Sequence, residues 1–270
     1  MDTCPPRAAV LMCHAPIVIP LIGNDRASEC AATTAAMQAA AQAVAQCGAE
    51  SVLVLSPHTP RHRQAFGYVG GATLRGDFRS FGISGLEFTF RADVAVAAAV
   101  AHQAQRAGLP MAPSNVQNLD HGALVPLWFL QQAGFKGRVT VFGFPWESEP
   151  GATRRFGEVL SSAMQGLDRT WALVASGDMS HALKQGAPAG FQPVAHTFDE
   201  AVVACVREGR ISDVSGIDSH LRILAAEDVV ESLEAADGSL GTNRTGLRCL
   251  SYEAPFGVGY LVAVLREIES

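Results

Sequence analysis

Four of the eight histidines stand where α/β proteins keep their chemistry. His14, His58, His121 and His181 each lie just past a short apolar run or just before an apolar helical stretch, beside proline, glycine or small residues. His181 closes Ser-Gly-Asp-Met-Ser-His (176–181), which directly follows the apolar run Trp171–Ala175. Polar clusters at the C-terminal ends of buried strands form the sites of open α/β sheets. Read alone, this stretch offers Asp178 and His181 as metal ligands. Neutral imidazoles with one carboxylate can hold a non-haem Fe(II) and leave positions open for other ligands. No cysteine pair shows structural-zinc spacing, and no G-x-S-x-G elbow marks a serine nucleophile. His62, His102, His196 and His220 lack such a setting and read as structural histidines.

Convergence of the four histidines requires strands that deliver them to one edge. Ala8–Met12 precedes Cys13-His14 and two prolines, which forbid a regular helix there. Ser51–Leu55 precedes Ser56-Pro57-His58, and Arg138–Phe144 and Trp171–Ala175 are further buried strands. Gly257–Leu265 reads as the last strand. Helices are expected over about 25–46, 92–106, 151–165, 194–209 and 219–236, and from just after His121 to about Gln132, several of them closed by glycine. Residues 61–90, rich in glycine and phenylalanine, read as short strands and turns that form a flap. Gly238–Gly246 reads as a polar loop. Alternating buried strands and helices predict one α/β domain spanning 1–270, with a central, largely parallel or mixed sheet and helices on both faces.

Composition narrows the function. A net charge of −6, with only 20 Lys and Arg and no basic run, argues against nucleic acid. The six cysteines form no C-x-x-C pattern and read as reduced thiols. The N-terminus lacks the features of a signal peptide, and the apolar runs are too short to span a bilayer. A cytoplasmic protein without membrane contact is expected.

The succession CHAPIVIP (13–20), SPH (56–58), LDHGALVPL (119–127), SGDMSH (176–181) and YEAPFGVGYLVA (252–263) resembles the class III extradiol ring-cleavage dioxygenases. This superfamily is typified by the catalytic β subunit of protocatechuate 4,5-dioxygenase and also includes Memo-like proteins. The resemblance implies Fe(II) held by His14, His58 and Glu253, with His181 as general base and His121 as a further active-site histidine. It casts Asp120 and Asp178 as groups that fix imidazole orientation rather than as ligands. It implies a small aromatic substrate of catechol or aminophenol type, with O₂ inserted beside the two hydroxyls. His181 would take a catechol proton and later return it. A homo-oligomer, with a small partner subunit in some relatives, is the family expectation.

Three readings stay open at this stage. The first is an Fe(II) extradiol dioxygenase of aromatic catabolism. The second is a Memo-like metal- or ligand-binding protein, and the third is a hydrolase using zinc or another divalent metal on the same scaffold. Arg61, Arg63, Arg75 and Arg79 read as solvated loop charges rather than as partners for a substrate carboxylate. A carboxylated catechol, an aminophenol and a non-aromatic substrate therefore all remain open.

Overall fold

Strands covered on both faces are largely apolar, and the runs that precede His14, His58 and Asp178 are buried at every residue, with Ser51 and Ser176 as their polar members. The computed structural model describes residues 4–114, 116 and 118–268. Residues 1–3, 115, 117, 269 and 270 of the expected 1–270 span lie outside the described residues. Among the described residues the strands are β1 (Ala8–Met12), β2 (Ser51–Leu55), β3 (Phe66–Val69), β4 (Thr73–Asp77), β5 (Glu87–Arg91), β6 (Met111–Ser114), β7 (Arg138–Gly143), β8 (Trp171–Ser176), β9 (Arg248–Glu253) and β10 (Tyr260–Glu267). The α-helices are α1 (Pro20–Gly23), α2 (Ala31–Gln46), α3 (Val94–Arg106), α4 (His121–Gln132), α5 (Ala152–Gly166), α6 (Ala195–Arg207), α7 (Ser219–Ala225) and α8 (Val230–Leu240).

Eight strands form one mixed sheet in the order β6-β3-β7-β2-β8-β1-β10-β9. Its centre, β7-β2-β8-β1, is parallel, whereas β10 joins β1, and β9 joins β10, antiparallel. Two apolar clusters cover the two faces. Leu53, Leu173 and Phe156 belong to one, and Val54, Val174 and Met37 to the other. The alanine-rich face of α2 (Ala36, Ala40, Ala41) lets that helix lie close on its sheet face. The chain is thus a single α/β domain, as its strand and helix alternation predicts. Among the described residues no helix is long and apolar enough to cross a membrane.

The stretch 61–90 divides between two structures. β3 joins the main sheet, while β4 and β5 pair as a separate hairpin whose connection carries a short 3₁₀ turn, Arg79–Phe81. The expected helix over 219–236 is broken. Ala226 takes a left-handed conformation (φ 52°), α7 ends there, and α8 restarts at Val230 and runs on through Leu240. The region expected as a polar loop from Gly238 therefore begins inside a helix. The break at 226–229 has a direct consequence for the site.

Candidate metal centre and active site

The register of the parallel strands sets the geometry. Met12 of β1 pairs with Ser176 of β8, and Leu55 of β2 pairs with Ala175 of β8, so the three strands end nearly level. With β8 between β1 and β2, the loops carrying His14, His58 and Asp178 start side by side. His121 arrives as the first residue of α4, whose N-cap is Asp120. Asp120 holds this corner together. Its carboxylate accepts from Ser56 Oγ (2.6 Å), Thr59 Oγ1 (2.8 Å) and the Ala123 amide (3.0 Å), tying the His58 loop to the helix that starts with His121. Gly122 is required there, because a Cβ would lie 2.5 Å from Ser56 Oγ and 3.2 Å from the His58 ring.

Ligand atoms of His14, His58 and His121 all lie within 4.8 Å of one another. His14 Nε2 and His58 Nε2 are 3.1 Å apart. The Asp228 carboxylate reaches the same point, with Oδ2 at 3.4 Å from His14 Nε2 and 3.2 Å from His58 Nε2. Atoms that each bind one ion at about 2.0–2.2 Å lie roughly 3 Å or slightly more apart. Two imidazole nitrogens and one carboxylate oxygen at these separations therefore fit a single divalent metal. The donor set, nitrogen and oxygen without sulfur, suits first-row metals such as iron or zinc.

Hydrogen bonding fixes which nitrogen of His14 faces this point. The Ser176 hydroxyl donates to the Gly122 carbonyl (2.6 Å), so its oxygen is left to accept from His14 Nδ1–H (3.0 Å). This bond keeps a proton on Nδ1, so Nε2 is the nitrogen that a metal would take, in place of the second proton. Ser176, not Asp178, orients the His14 ring. Asp178 accepts from the His14 backbone amide (2.9 Å), and its own amide donates to Asp228 Oδ1 (2.7 Å). Asp178 thus links the β1 loop to the carboxylate of Asp228.

The carboxylates draw positive charge to this point. Burial, the largest influence on His14, disfavours its cation, yet Asp178 and Asp228 outweigh it and carry the pKa to about 9. Asp228 behaves as the partner should. Burial pushes its carboxyl up, but His14 and His58 hold it well below the usual carboxylate range. His121 moves the opposite way, to about 4, first through burial and then through repulsion from His58 and His14. It is therefore a neutral imidazole near pH 7.

Asp228 went unread in the sequence because 219–236 looks like one helix. The break at Ala226 frees Glu227 and Asp228 from helical geometry. Glu227 then caps α8 by accepting from the Val229 and Val230 amides (2.8 and 2.9 Å), which turns Asp228 toward the histidines. An Ala-Ala-Glu-Asp segment, with two acids ahead of an apolar helical run, is the signal that a helix start lay here.

The structure does not bring Glu253 into the histidine group. It ends β9 opposite Tyr260, and its Oε2 accepts from the Thr33 amide (2.7 Å) and Thr33 Oγ1 (2.6 Å). Two donors from α2 hold this carboxylate, and Asp228 is the one found between His14 and His58.

A cavity of about 390 Å³ opens onto the cluster. His14, His58, His121, His181 and Asp178 line one side, and Ile17, Ile22, Phe81, Val258 and Tyr260 line much of the rest. The Phe81 ring meets that of His121 edge-on at 5.6 Å, so the β4–β5 hairpin contributes to the wall. His181 sits on a rigid support. Its amide donates to the Ala225 carbonyl (2.8 Å), and Ser180 N–H donates to Asp199 (2.9 Å). His181 Nδ1 is buried without a hydrogen-bond partner among the described residues.

Residues 8–263 match the family described as the catalytic LigB subunit of aromatic ring-opening dioxygenase. The chain belongs to the LigB family. Its scaffold is therefore of the dioxygenase type, with a histidine-rich site able to hold a metal. A curated relative, protein CA_C1420 of Clostridium acetobutylicum, is 25% identical over 264 residues, covering 94% of this chain and 56% of its own length. The chain thus spans just over half the length of the curated relative it matches. Among solved structures, the uncharacterized protein JW3007 of Escherichia coli K12 shares the fold, with a TM-score of 0.63 and 14% identity over 96% of this chain and 99% of that one.

Proposed function

We propose that this LigB-family member is a non-haem Fe(II)-dependent extradiol dioxygenase that opens a catechol-type or aminophenol-type ring with O₂. One observation carries the reading. His14 Nε2, His58 Nε2 and Asp228 Oδ2 stand 3.1–3.4 Å apart, and both histidines line a cavity with many apolar residues. Two imidazoles and a carboxylate on one face of a metal, with the remaining positions open, are the ligand set of non-haem Fe(II) oxygenases. When bound, the metal supplies Lewis acidity and an electronic path between an aromatic diol and O₂.

The protein groups divide the remaining work. His14 and His58 would hold a metal through Nε2, and Ser176 keeps His14 in the orientation this requires. His181 faces the cavity as the base for a substrate hydroxyl proton, held on a loop anchored by Asp199 and Ala225. Neutral His121, at the start of α4, is placed to exchange a hydrogen bond with a bound oxygen atom. The apolar wall excludes water and packs against an aromatic ring.

The test is anaerobic metal analysis followed by Fe(II) loading and O₂-uptake measurements with a panel of catechols and aminophenols. Uptake that depends on iron, and disappears in His14→Ala and His58→Ala, is expected. Iron-loaded protein that consumes no O₂ across the panel would refute the reading. A second reading has an observation of its own, because the His14, His58 and His121 trio matches the three-histidine set with which catalytic zinc activates water. Retained zinc with ester hydrolysis and no O₂ uptake would favour it.

A further inference from the structure

We propose that the cavity selects aromatic diols without a carboxylate substituent. This rests on the ring-cleavage reading above and adds to it the class of substrate accepted. None of the 20 Lys and Arg residues of the chain lines the cavity, and all of them lie among the described residues. Beyond the histidines, Asp178 and the Tyr260 phenol, the lining is supplied by groups such as Ile17, Ile22, Phe81, Pro188 and Val258.

The four loop arginines that might have reached a carboxylate are committed elsewhere. Arg61 pairs with Glu231 and donates to the Pro57 (3.3 Å) and Pro145 (3.0 Å) carbonyls. Arg63 pairs with Glu147 at 3.1 Å, and Arg79 pairs with Asp77 and Glu87. Arg75 lines a separate polar cavity together with Arg79 and Asn118. The cations nearest in sequence to lining residues are also held. Arg26 pairs with Glu29 at 3.2 Å and stacks over Phe256 at 4.4 Å, and Lys184 donates to the Pro255 carbonyl.

A ring carboxylate entering this space would lose its hydration against aliphatic carbon without gaining a cation. It would also share the site with Asp178, which lines the cavity, and with Asp228 beside it. Burying a charge without a partner is costly, and a like charge nearby adds to the cost. A methyl or hydrogen at the same ring position carries no charge to desolvate and can pack against the apolar part of the lining.

The selectivity is read by binding rather than by turnover. The protein loaded with Zn²⁺, which does not support oxygenation, is titrated calorimetrically with protocatechuate and with the catechol carrying a methyl in place of the carboxylate. The methyl compound should bind roughly tenfold or more tightly. Phe81→Arg, a substitution at a 39%-exposed hairpin position on the cavity wall, should narrow or reverse that ratio. Ile22→Arg provides a second placement of the cation should the hairpin not tolerate the first. Equal or tighter binding of protocatechuate to the unsubstituted protein would overturn the selectivity while leaving ring cleavage standing. Binding of neither compound would overturn both.

Discussion

Exchanging the two candidate carboxylates, one at a time, gives the sharpest test of the metal centre. Asp228→Asn keeps an oxygen that can accept from the Asp178 amide, now 2.7 Å from Oδ1, so the loop should stay in place. It removes the one carboxylate oxygen that stands 3.4 and 3.2 Å from the two Nε2 atoms. Loss of a group that only orients a ligand costs about 10–100-fold in metal affinity. Loss of a direct anionic ligand should cost at least the upper end, about 100-fold or roughly 2.7 kcal/mol. Glu253→Gln removes charge from a carboxylate held by Thr33 through two bonds of 2.7 and 2.6 Å. Its expected cost is structural, about 1–2 kcal/mol of folding stability, with metal affinity unchanged within about threefold. Competition with a chromogenic chelator under anaerobic conditions measures the affinities, and urea unfolding of the metal-free proteins measures the stabilities. If Glu253→Gln empties the site and Asp228→Asn does not, the assignment drawn from the 226–229 break is refuted.

Further outcomes follow from other parts of the site. His181→Ala should retain metal and slow turnover by roughly 10²–10⁴, the range of general acid–base catalysis; loss of metal in this variant would show that His181 is a ligand instead. Gly259→Ala should destabilise the fold by about 3 kcal/mol or more, because the new Cβ would overlap Asp199 Oδ2 and lie 2.7 Å from Met179 Cβ; a urea midpoint within error of the parent would contradict this close packing. Burial raises the Asp199 carboxyl from 3.8 to about 6, against the lowering effect of Tyr252 and the Ser180 amide, with His181 and Glu227 as the other titrating groups that act on it. The folded state then binds the proton more tightly than the unfolded one, so this contribution is full below about pH 4 and lost as pH rises through about 6. Relative to Asp199→Asn, the parent should lose stability across that window, and a parent that gains stability relative to the variant as pH rises would refute this.

The sequence by itself determined the parallel core of the sheet and the four histidines that line the pocket. Short apolar runs such as Ala8–Met12 and Ser51–Leu55, bounded by proline, read as strands buried on both faces. Proline after each run forces the chain into a loop, so the residues that follow must sit at the strand end. That local chemistry, with the polar cluster after Trp171–Ala175, is enough to place His14, His58 and the 176–181 stretch at the ends of buried strands. It does not show which strands are neighbours. Only the order β2-β8-β1, set by long-range packing of the two sheet faces, brings the histidine nitrogens to within hydrogen-bonding distance of each other.

The third carboxylate shows the limit most plainly. Glu253 lies in a suggestive motif, yet its neighbour in space is Thr33 of α2, 220 residues earlier in the chain. Asp228 lies in a segment whose composition favours one continuous helix from 219 to 236. The left-handed turn at Ala226 and the capping of α8 by Glu227 exist because Ala225, Val229 and Val230 are buried in the core beside that turn. Helix propensity is a local quantity worth tenths of a kcal/mol per residue, and burial of such side chains is worth more. Tertiary packing therefore decided where the helix breaks, and with it which acid faces the histidine cluster.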